Sequence, residues 1–354
     1  MKRNIFSVII PYYNTNIDQF KFCLESLICQ DLNLLKEIII VNDGSDDEHS
    51  KEIKKLIDEL NLNSLINIQS KEKLIKLINQ NNQGSAGARK TGFDKSTGNI
   101  ILFVDSDDWI CDSKWIFKLN DYFINNSSIE LIQFKTINVF NQNDYLIPKK
   151  LNKNEIIKFD LSSYLNNTTK STNNFSICAY AYKKELLERN SNFFNFINEY
   201  YEDAYWNSVL LSKKWLTLIV NEIFYCYRVN NINSKTYKAN SSNNILKTIQ
   251  IYTKWFTSFD DWNIEKFSDA RDYWIYWFVY ICVCNLKGLR NGIKFFEKNQ
   301  IIFPTIKEIK KFFKKYKPYK GFKLLFIKSC LLSKYLDYFL NKIYMFFKKR
   351  KINL

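Results

Sequence analysis

The sequence is short of histidine. His49 is the single histidine among 354 residues, and it lies in the charged stretch DDEHSKE. Ser-His-Asp and Cys-His nucleophile chemistry both need a histidine base, so the sequence argues against both. The cysteines form no CxxC pair, which argues against a zinc site and a disulfide framework. They occupy positions 23, 29, 111, 178, 226, 282, 284 and 330.

Long apolar runs are also missing. A membrane-spanning helix needs roughly 18 apolar residues or more. The run YWIYWFVYICVCNL reaches only about fourteen, so we interpret it as a buried core helix. The first residues, MKRNIFSVIIPYYN, turn polar too early for a signal peptide. Together these absences predict a cytoplasmic protein.

Positive charge is plentiful but unevenly placed. The formal net charge is +16, and residues 301–354 alone contain fifteen Lys and Arg against two acids, or +13. The first 300 residues therefore carry only +3. A basic nucleic-acid-binding protein is an alternative that this distribution disfavours, because the charge is confined to one terminal segment. We predict no nucleic-acid partner.

The first part of the chain alternates strand and helix patterns, as chains that build a parallel sheet do. Strands are predicted at 5–13, 37–43, 73–80 and 99–105, and helices at 16–30, 47–60 and 85–96. Further strands are expected at 129–140 and 215–229, around a helix near 202–211, and helices dominate after 240. This pattern predicts an α/β fold with a doubly wound, mostly parallel sheet and a helical C-terminal extension.

Polar residues follow three of these strands, in the stretches PYYN, NDGSDD and DSDD. In open α/β sheets ligands bind beyond the carboxyl ends of the strands. The stretch FVDSDDW places Asp105, Asp107 and Asp108 at such an end. Carboxylates suit Mg²⁺ or Mn²⁺, which proteins usually hold with one or two carboxylates plus substrate phosphates. The stretch therefore predicts a metal-bound diphosphate, and a solvated Asp-rich turn or calcium loop is the alternative.

The stretch NNQGSAGARKTG is a second candidate. Ser85 is predicted to cap a helix whose first turn holds only small residues, so that its backbone amides can approach a phosphate. Arg89 lies one turn further on. A small-residue helix packed closely on the sheet is the alternative, which leaves Arg89 without a role.

In this order and spacing, SVIIPYYN, EIIIVNDGSDD, NNQGSAGARKTGF and GNIILFVDSDDW closely resemble the nucleotide-binding half of glycosyltransferase family 2, which has the GT-A fold. The resemblance is strong over the first 110 residues and continues weakly to about 236. It implies that Tyr13 and Asp43 hold the base. It implies that Asp105 and Asp107 hold the ribose and the metal-bound diphosphate. Further donor-binding residues implied by the resemblance are Pro11, Arg89 and Arg228.

The stretch EYYEDAYWN resembles the acceptor-side Glu-Asp motif of the same family. The resemblance implies that Asp203 is the general base, with Glu202 beside it and Trp109 also on the acceptor side. The later segment YCYRVNNINS departs from the family pattern, because Asn230 and Asn231 stand where many members carry a histidine.

These observations predict an inverting, Mn²⁺- or Mg²⁺-dependent hexosyl- or N-acetylhexosaminyltransferase. Its expected donor is a UDP-linked sugar, and its expected acceptor is a growing lipid-linked or cell-surface glycan, as in capsule or lipopolysaccharide biosynthesis. A sugar nucleotidyltransferase is the alternative enzyme. It usually needs a Gly-rich loop with a basic residue after the first strand, and PYYNTN has neither.

The predicted catalytic domain covers 1–236, with nucleotide-sugar binding at 1–110 and the acceptor side at 111–236. The helical region 237–354 ends in a basic amphipathic tail from about 301. Read as a helix, the tail places Leu325, Leu332, Leu336, Phe339, Ile343 and Phe347 on one face. We expect this tail to bind an anionic membrane surface on the inner leaflet. Docking of its apolar face on the catalytic domain is the alternative.

Overall fold

The computed structural model describes two compact units, one formed by residues 1–159 and 172–232, the other by 160–171 and 233–354. The predicted domain boundaries stay predictions. The described residues are 4–67, 73–140, 154–158, 176–190, 194, 203, 206–207, 210, 215–229, 272, 275, 278–279, 289–298 and 306–316.

In the first unit, four parallel strands stand in the order β3-β2-β1-β4. They are apolar in sequence, and β1, β2 and β4 are almost wholly buried, as expected for strands covered by helices on both faces. The strands are β1 (Phe6–Tyr12), β2 (Leu35–Asp43), β3 (Ile75–Gln80) and β4 (Ile100–Phe103). The helices between them are α1 (Ile17–Ile28), α2 (Asp47–Asn67) and α3 (Gly84–Lys95). These elements confirm the predicted alternation.

The helix starts follow local capping chemistry. Asn16 caps α1, because its side-chain oxygen accepts from the amides of Asp18 at 3.0 Å and Gln19 at 3.2 Å. The prediction that Ser85 caps α3 is wrong. The N-cap is Gln83, and the side chain of Asn82 accepts from the Gly84 amide at 3.2 Å, so the helix begins one residue before Ser85.

Helix α3 packs unusually close to the sheet. A Cβ atom added at Gly92 would lie 2.4 Å from Ile9 Cγ2 on β1, so only glycine fits there. The small-residue packing considered above is therefore present, and the same helix carries the buried Arg89. Close packing and the buried arginine therefore occur on the same helix.

The rest of the sheet is mixed. β8 is antiparallel to both β4 and β6, β6 is parallel to β9, and β5 and β7 both pair antiparallel with β9. The sheet is thus parallel on one side and mixed on the other. The elements are β5 (Trp109–Ile110), α4 (Trp115–Asn125), β6 (Leu131–Val139), β7 (Glu155–Lys158), β8 (Tyr180–Lys183), α5 (Lys184–Glu188) and β9 (Leu216–Arg228).

In the second unit, the described helices are α6 (Leu289–Lys298) and α7 (Ile306–Tyr316). On α7, Ile309 and Phe312 are buried, whereas its lysines are exposed. Residues beyond 316, including most of the predicted amphipathic tail, lie outside the described residues. Among the residues that are described, no helix is both long and apolar enough to cross a membrane.

Candidate active site

Three polar strand ends meet at one edge of the sheet. β1 lies between β2 and β4 and is parallel to both, so the residues that follow these strands share the carboxyl edge. Tyr13 directly follows β1, Asp43 ends β2, and Asp105 lies just beyond β4. The predicted donor-binding residues are therefore gathered at the edge where open α/β sheets bind ligands.

Asp43 is held rigidly. It is 2% exposed, and its Oδ1 accepts from the Gln80 side-chain amide at 2.7 Å and from the Gln83 main-chain amide at 2.8 Å. The turn after it depends on Gly44, whose φ is +75° and whose added Cβ would lie 2.8 Å from Asn82 N. This arrangement fixes the carboxylate between the β2 end and the start of α3.

The two tyrosines after Pro11 behave differently. Tyr12 is fully buried, and its hydroxyl donates to the Thr15 carbonyl at 2.9 Å. Tyr13 is 55% exposed, which leaves its ring open to stack on a ligand. Pro11 pairs with Val41 inside the strand pair and is half-buried. Of the three, the structure offers Tyr13 most directly to a base.

The segment Asp105–Asp108, here called the carboxylate loop, meets a cation from the protein itself. Arg89 is 4% exposed, and its Nη2 donates to Asp105 Oδ1 at 2.6 Å. The loop closes on itself through a bond from the Asp108 amide to the Asp105 carbonyl at 3.1 Å. Arg89 on α3 therefore neutralises the first carboxylate of the loop.

The last carboxylate of the loop is held by β9. Asp108 is 1% exposed, and its Oδ2 accepts from the Tyr225 hydroxyl at 2.7 Å while its Oδ1 accepts from the Arg228 amide at 2.7 Å. Burial raises the pKa of Asp108 well above its usual range, and the negative charges of Asp107 and Asp105 raise it further. The site is therefore rich in negative charge.

Arg228 lies against the loop. Its Nε donates to the Asp107 carbonyl at 2.9 Å, and its guanidinium stacks over the Trp109 ring at 4.9 Å. Its Nη2 is buried and has no hydrogen-bond partner among the residues that the structure describes. Trp109 is 2% exposed and also packs edge-on against Phe22. Its ring therefore lies between Arg228 and Phe22, and its acceptor-side role stays a prediction.

The charge of Asp203 acts on the same buried thiol, Cys178, as the charges of the carboxylate loop. Burial raises the pKa of the Cys178 thiol, and the charges of Asp105 and Asp203 both raise it further, whereas the charge of Arg89 lowers it. The Asn207 side chain donates to the Asp203 carbonyl at 2.7 Å and accepts from the Tyr180 hydroxyl at 3.2 Å. Asp203 is thereby tied to β8. Glu202 lies outside the described residues.

The carboxylates fit a divalent metal only as part of a ligand set. Among the residues that the structure describes, no group of three or more His, Cys, Asp or Glu side chains is arranged to hold a metal ion. Asp105 and Asp107 supply hard oxygens, and such ions commonly complete their shell with substrate phosphates and water. The residues therefore suit a metal that arrives with a diphosphate.

The sequence pattern did not identify the hydrogen bond from Tyr225 to Asp108. It also did not distinguish Asp108 from Asp105 and Asp107. The signal in YCYR was alternation, which puts Tyr225 and Tyr227 on the face of β9 opposite Cys226. Alternation cannot say which distant loop that face meets. Only the pairing of β9 with β5, which places Ile110 opposite Tyr225, brings the tyrosine to Asp108.

Comparisons with known proteins agree with this fold. The family model described as Glycosyl transferase family 2 matches residues 7–190, just over half of the chain. The chain belongs to this family.

Two relatives are uncharacterized glycosyltransferases. YibD of Escherichia coli (strain K12) is 43% identical over 105 residues, which cover 30% of this chain and 26% of that protein. EpsJ of Bacillus subtilis (strain 168) is 26% identical over 226 residues, covering 63% of this chain and 61% of that protein. The chain thus spans less than two thirds of the length of either relative.

Among solved structures, TarS 1–349 of S. aureus, crystallised with UDP-GlcNAc, superposes with a TM-score of 0.60. The match covers 96% of this chain and 91% of that one at 17% sequence identity. At this identity the likeness shows the fold alone, and it confirms the GT-A-like α/β architecture.

Proposed function

We propose that the protein is an inverting glycosyltransferase that moves a hexosyl or N-acetylhexosaminyl group from a UDP-sugar to a glycan acceptor. The observation that carries the proposal is the carboxylate loop at the carboxyl edge, where Arg89 pairs with Asp105 and Arg228 donates to the Asp107 carbonyl. A buried excess of carboxylates at a strand edge is typical of a functional site. The UDP-GlcNAc bound to TarS supports the choice of donor.

On the donor side, Tyr13 stacks on the base and Asp43, fixed by its two hydrogen bonds, accepts from it. Pro11 shapes the end of β1 beside them. Arg228, whose Nη2 makes no hydrogen bond with any described residue, donates to the diphosphate, and Arg89 holds Asp105 in place. Arginine is well suited to such phosphate contacts because its donors form a planar fork.

On the acceptor side, Asp203 acts as the general base. The acceptor hydroxyl oxygen bonds to the anomeric carbon of the donor as its proton passes to the Asp203 carboxylate. The bond from that carbon to the diphosphate oxygen breaks, and UDP leaves. One displacement of this kind inverts the anomeric centre. A positioned carboxylate base contributes roughly 10²–10⁴-fold to the rate.

Asp107 and Asp105 would hold a divalent metal, Mn²⁺ or Mg²⁺, together with the donor diphosphate, and the metal would stabilise the negative charge of the leaving group. The protein residues position the donor around it. Asp105 is oriented by Arg89, and Asp107 is fixed through its own main chain by Arg228.

A screen of UDP release tests this proposal. The full chain is incubated with a panel of nucleotide sugars, with and without Mn²⁺, and released nucleotide is measured. We expect release from one UDP-sugar that depends on the metal and is stopped by EDTA. Thermal stabilisation by UDP, and none by an oligonucleotide, is expected in the same preparation. Release unaffected by EDTA contradicts the metal, and no UDP-dependent stabilisation contradicts the donor.

We further propose that the acceptor is a lipid-linked or cell-surface glycan and that the C-terminal region rests on an anionic membrane. The described part of that region carries the supporting charge. On α7, Ile309 and Phe312 are buried, so the available surface is its exposed lysine face. That face consists of Lys307, Lys310, Lys311, Lys314 and Lys315, of which Lys315 pairs with Asp272 at 2.9 Å. Each lysine near an anionic surface adds about 1 kcal/mol.

Charge reversal tests the membrane proposal without disturbing the buried side of α7. The triple substitution K310E/K311E/K314E should reduce binding to phosphatidylserine-containing vesicles by roughly 100-fold, since about 3 kcal/mol is lost. A matched control, K51E/K54E/K55E, reverses three exposed lysines on α2. Co-sedimentation that falls equally in both triples contradicts a specific lysine face.

A further inference from the structure

Tyr225 bridges the two ends of the carboxylate loop. Its hydroxyl accepts from the Asp105 amide at 3.1 Å and donates to Asp108 Oδ2 at 2.7 Å. One side chain on β9 thus fixes both the residue that enters the loop and the residue that leaves it. The ring itself is fully buried, so it has no freedom to adjust.

Asp108 is the other half of this connection. Both of its carboxylate oxygens are engaged by β9, one by Tyr225 and one by the Arg228 amide, and it is 1% exposed. By contrast, Asp105 and Asp107 remain partly exposed. The loop therefore turns its first and third residues toward the edge and its fourth residue into the protein.

We propose that Tyr225 is a positioning residue for donor binding, acting through Asp108, which anchors the carboxylate loop and does not itself contact the donor. The inference rests on the proposed function, since it assigns the donor to this loop. Groups that bind a ligand must be held within a fraction of an ångström, and a shift of about 1 Å can cost roughly 100-fold. The Tyr225 hydroxyl supplies that restraint from a strand of the rigid sheet.

The substitution Tyr225→Phe removes only the hydroxyl. In the full chain with Mn²⁺, we expect the Kd for UDP and the KM for the UDP-sugar to rise about 10–100-fold. The kcat at saturating donor should change less than about threefold, because Asp203 and the acceptor side are untouched. A purely structural role would lower the melting temperature without this separation of KM from kcat.

Tyr122→Phe is the matched control. Its hydroxyl also donates to a carboxylate, that of Glu222, and is near Asn154 rather than the carboxylate loop. This variant loses the same kind of bond in the same unit, yet its UDP Kd should stay within about twofold of the wild type. Equal loss of UDP affinity in both tyrosine variants would overturn the positioning role.

A second variant tests the same bond from the other side. Asp108→Asn keeps the shape but leaves one acceptor oxygen where Tyr225 and the Arg228 amide now use two, so UDP affinity should again fall. If the wild type binds UDP and both Tyr225→Phe and Asp108→Asn bind it equally well, the inference alone is wrong. If the wild type binds no UDP, the proposed function fails, and the inference fails with it.

Discussion

A buried carboxylate lies near each end of the parallel strands, Glu37 at the amino end and Asp108 at the carboxyl end. The surroundings of the two carboxylates shift their pKa values in opposite directions. At the amino end, Glu37 on β2 accepts from Ser7 Oγ at 2.7 Å and from the Thr97 amide at 2.6 Å and hydroxyl at 2.8 Å. Lys76 donates to its other oxygen at 2.6 Å. Burial acts to raise the pKa of Glu37, but these hydrogen bonds outweigh burial and lower it to about 2.

At the carboxyl end, Asp108 is equally buried, yet burial and then the charges of Asp107 and Asp105 raise its pKa. Donors of the protein itself satisfy both oxygens of Glu37, whereas the carboxylate loop keeps an excess of negative charge. Such repulsion lowers stability unless a ligand relieves it. The difference separates a carboxylate whose charge the fold satisfies from the loop that we propose binds the donor.

The largest expected effect comes from a substitution in the carboxylate loop, at the carboxyl end of the parallel strands. Asp107→Ala should reduce UDP-sugar turnover by roughly 10³-fold or more, because the metal that would neutralise the leaving diphosphate loses a ligand. The free energy of unfolding should change by less than about 1 kcal/mol, because removing a partly exposed acid from a like-charged loop costs little. Turnover assays and urea unfolding measure the two quantities.

The control for Asp107→Ala is Asp94→Ala, which removes an exposed acid paired with Lys90 on α3. This variant should keep wild-type turnover. Near wild-type turnover by Asp107→Ala in EDTA would show that neither this carboxylate nor a metal takes part.

A second change sharpens the division within the site. Asp203→Asn removes the proposed base but keeps its shape, so kcat should fall roughly 10²–10⁴-fold. The Kd for UDP should remain nearly unchanged, because the donor contacts are elsewhere. Single-turnover kinetics and UDP titration give the two values. Loss of UDP affinity would instead assign Asp203 to the donor side or to the fold.

The smallest expected effect tests the amino end. Glu37→Gln should lower the free energy of unfolding by about 1.5–3 kcal/mol at pH 7, since hydrogen bonds to a buried charge are lost or weakened. Turnover by the folded protein should be unchanged. Glu130→Gln is the control, because Glu130 pairs with the exposed Arg189 and such pairs contribute about 0–1 kcal/mol. Equal losses in both variants would contradict the special status of Glu37.

The pH dependence of the Glu37 effect has a definite sign. The folded protein holds the pKa of Glu37 at about 2, below its ordinary value of 4.5, so the unfolded chain takes up the proton first. The stabilisation is complete above pH 4.5 and is lost as the pH falls toward 2. The difference between wild type and Glu37→Gln should therefore shrink over that range. A difference that is constant from pH 7 to pH 3 would contradict the assignment.

The sequence by itself determined the alternation of the first half of the chain and the gathering of Tyr13, Asp43 and Asp105 at one edge. Continuous apolar runs define buried strands, and parallel strands must bring their carboxyl ends to the same side. The start of α3 was placed wrongly, because Ser85 fits the local capping rule while Asn82 and Asp43 bind the preceding amides. The local sequence pattern predicted Ser85 as the cap, but contacts with Asn82 and Asp43 place the start of the helix earlier.

Only the tertiary structure decided which hydrogen-bond donor meets which carboxylate. Arg89 is sixteen residues from Asp105, and Tyr225 is 117 from Asp108, so these contacts depend on helix packing and strand register. The hydrogen bonds to Glu37 could not be predicted from the sequence either, because Ser7, Lys76 and Thr97 come from separate parts of the chain. The sequence shows which residues end a strand, but the pairing of strands that are distant in the chain decides which side chains meet across the sheet.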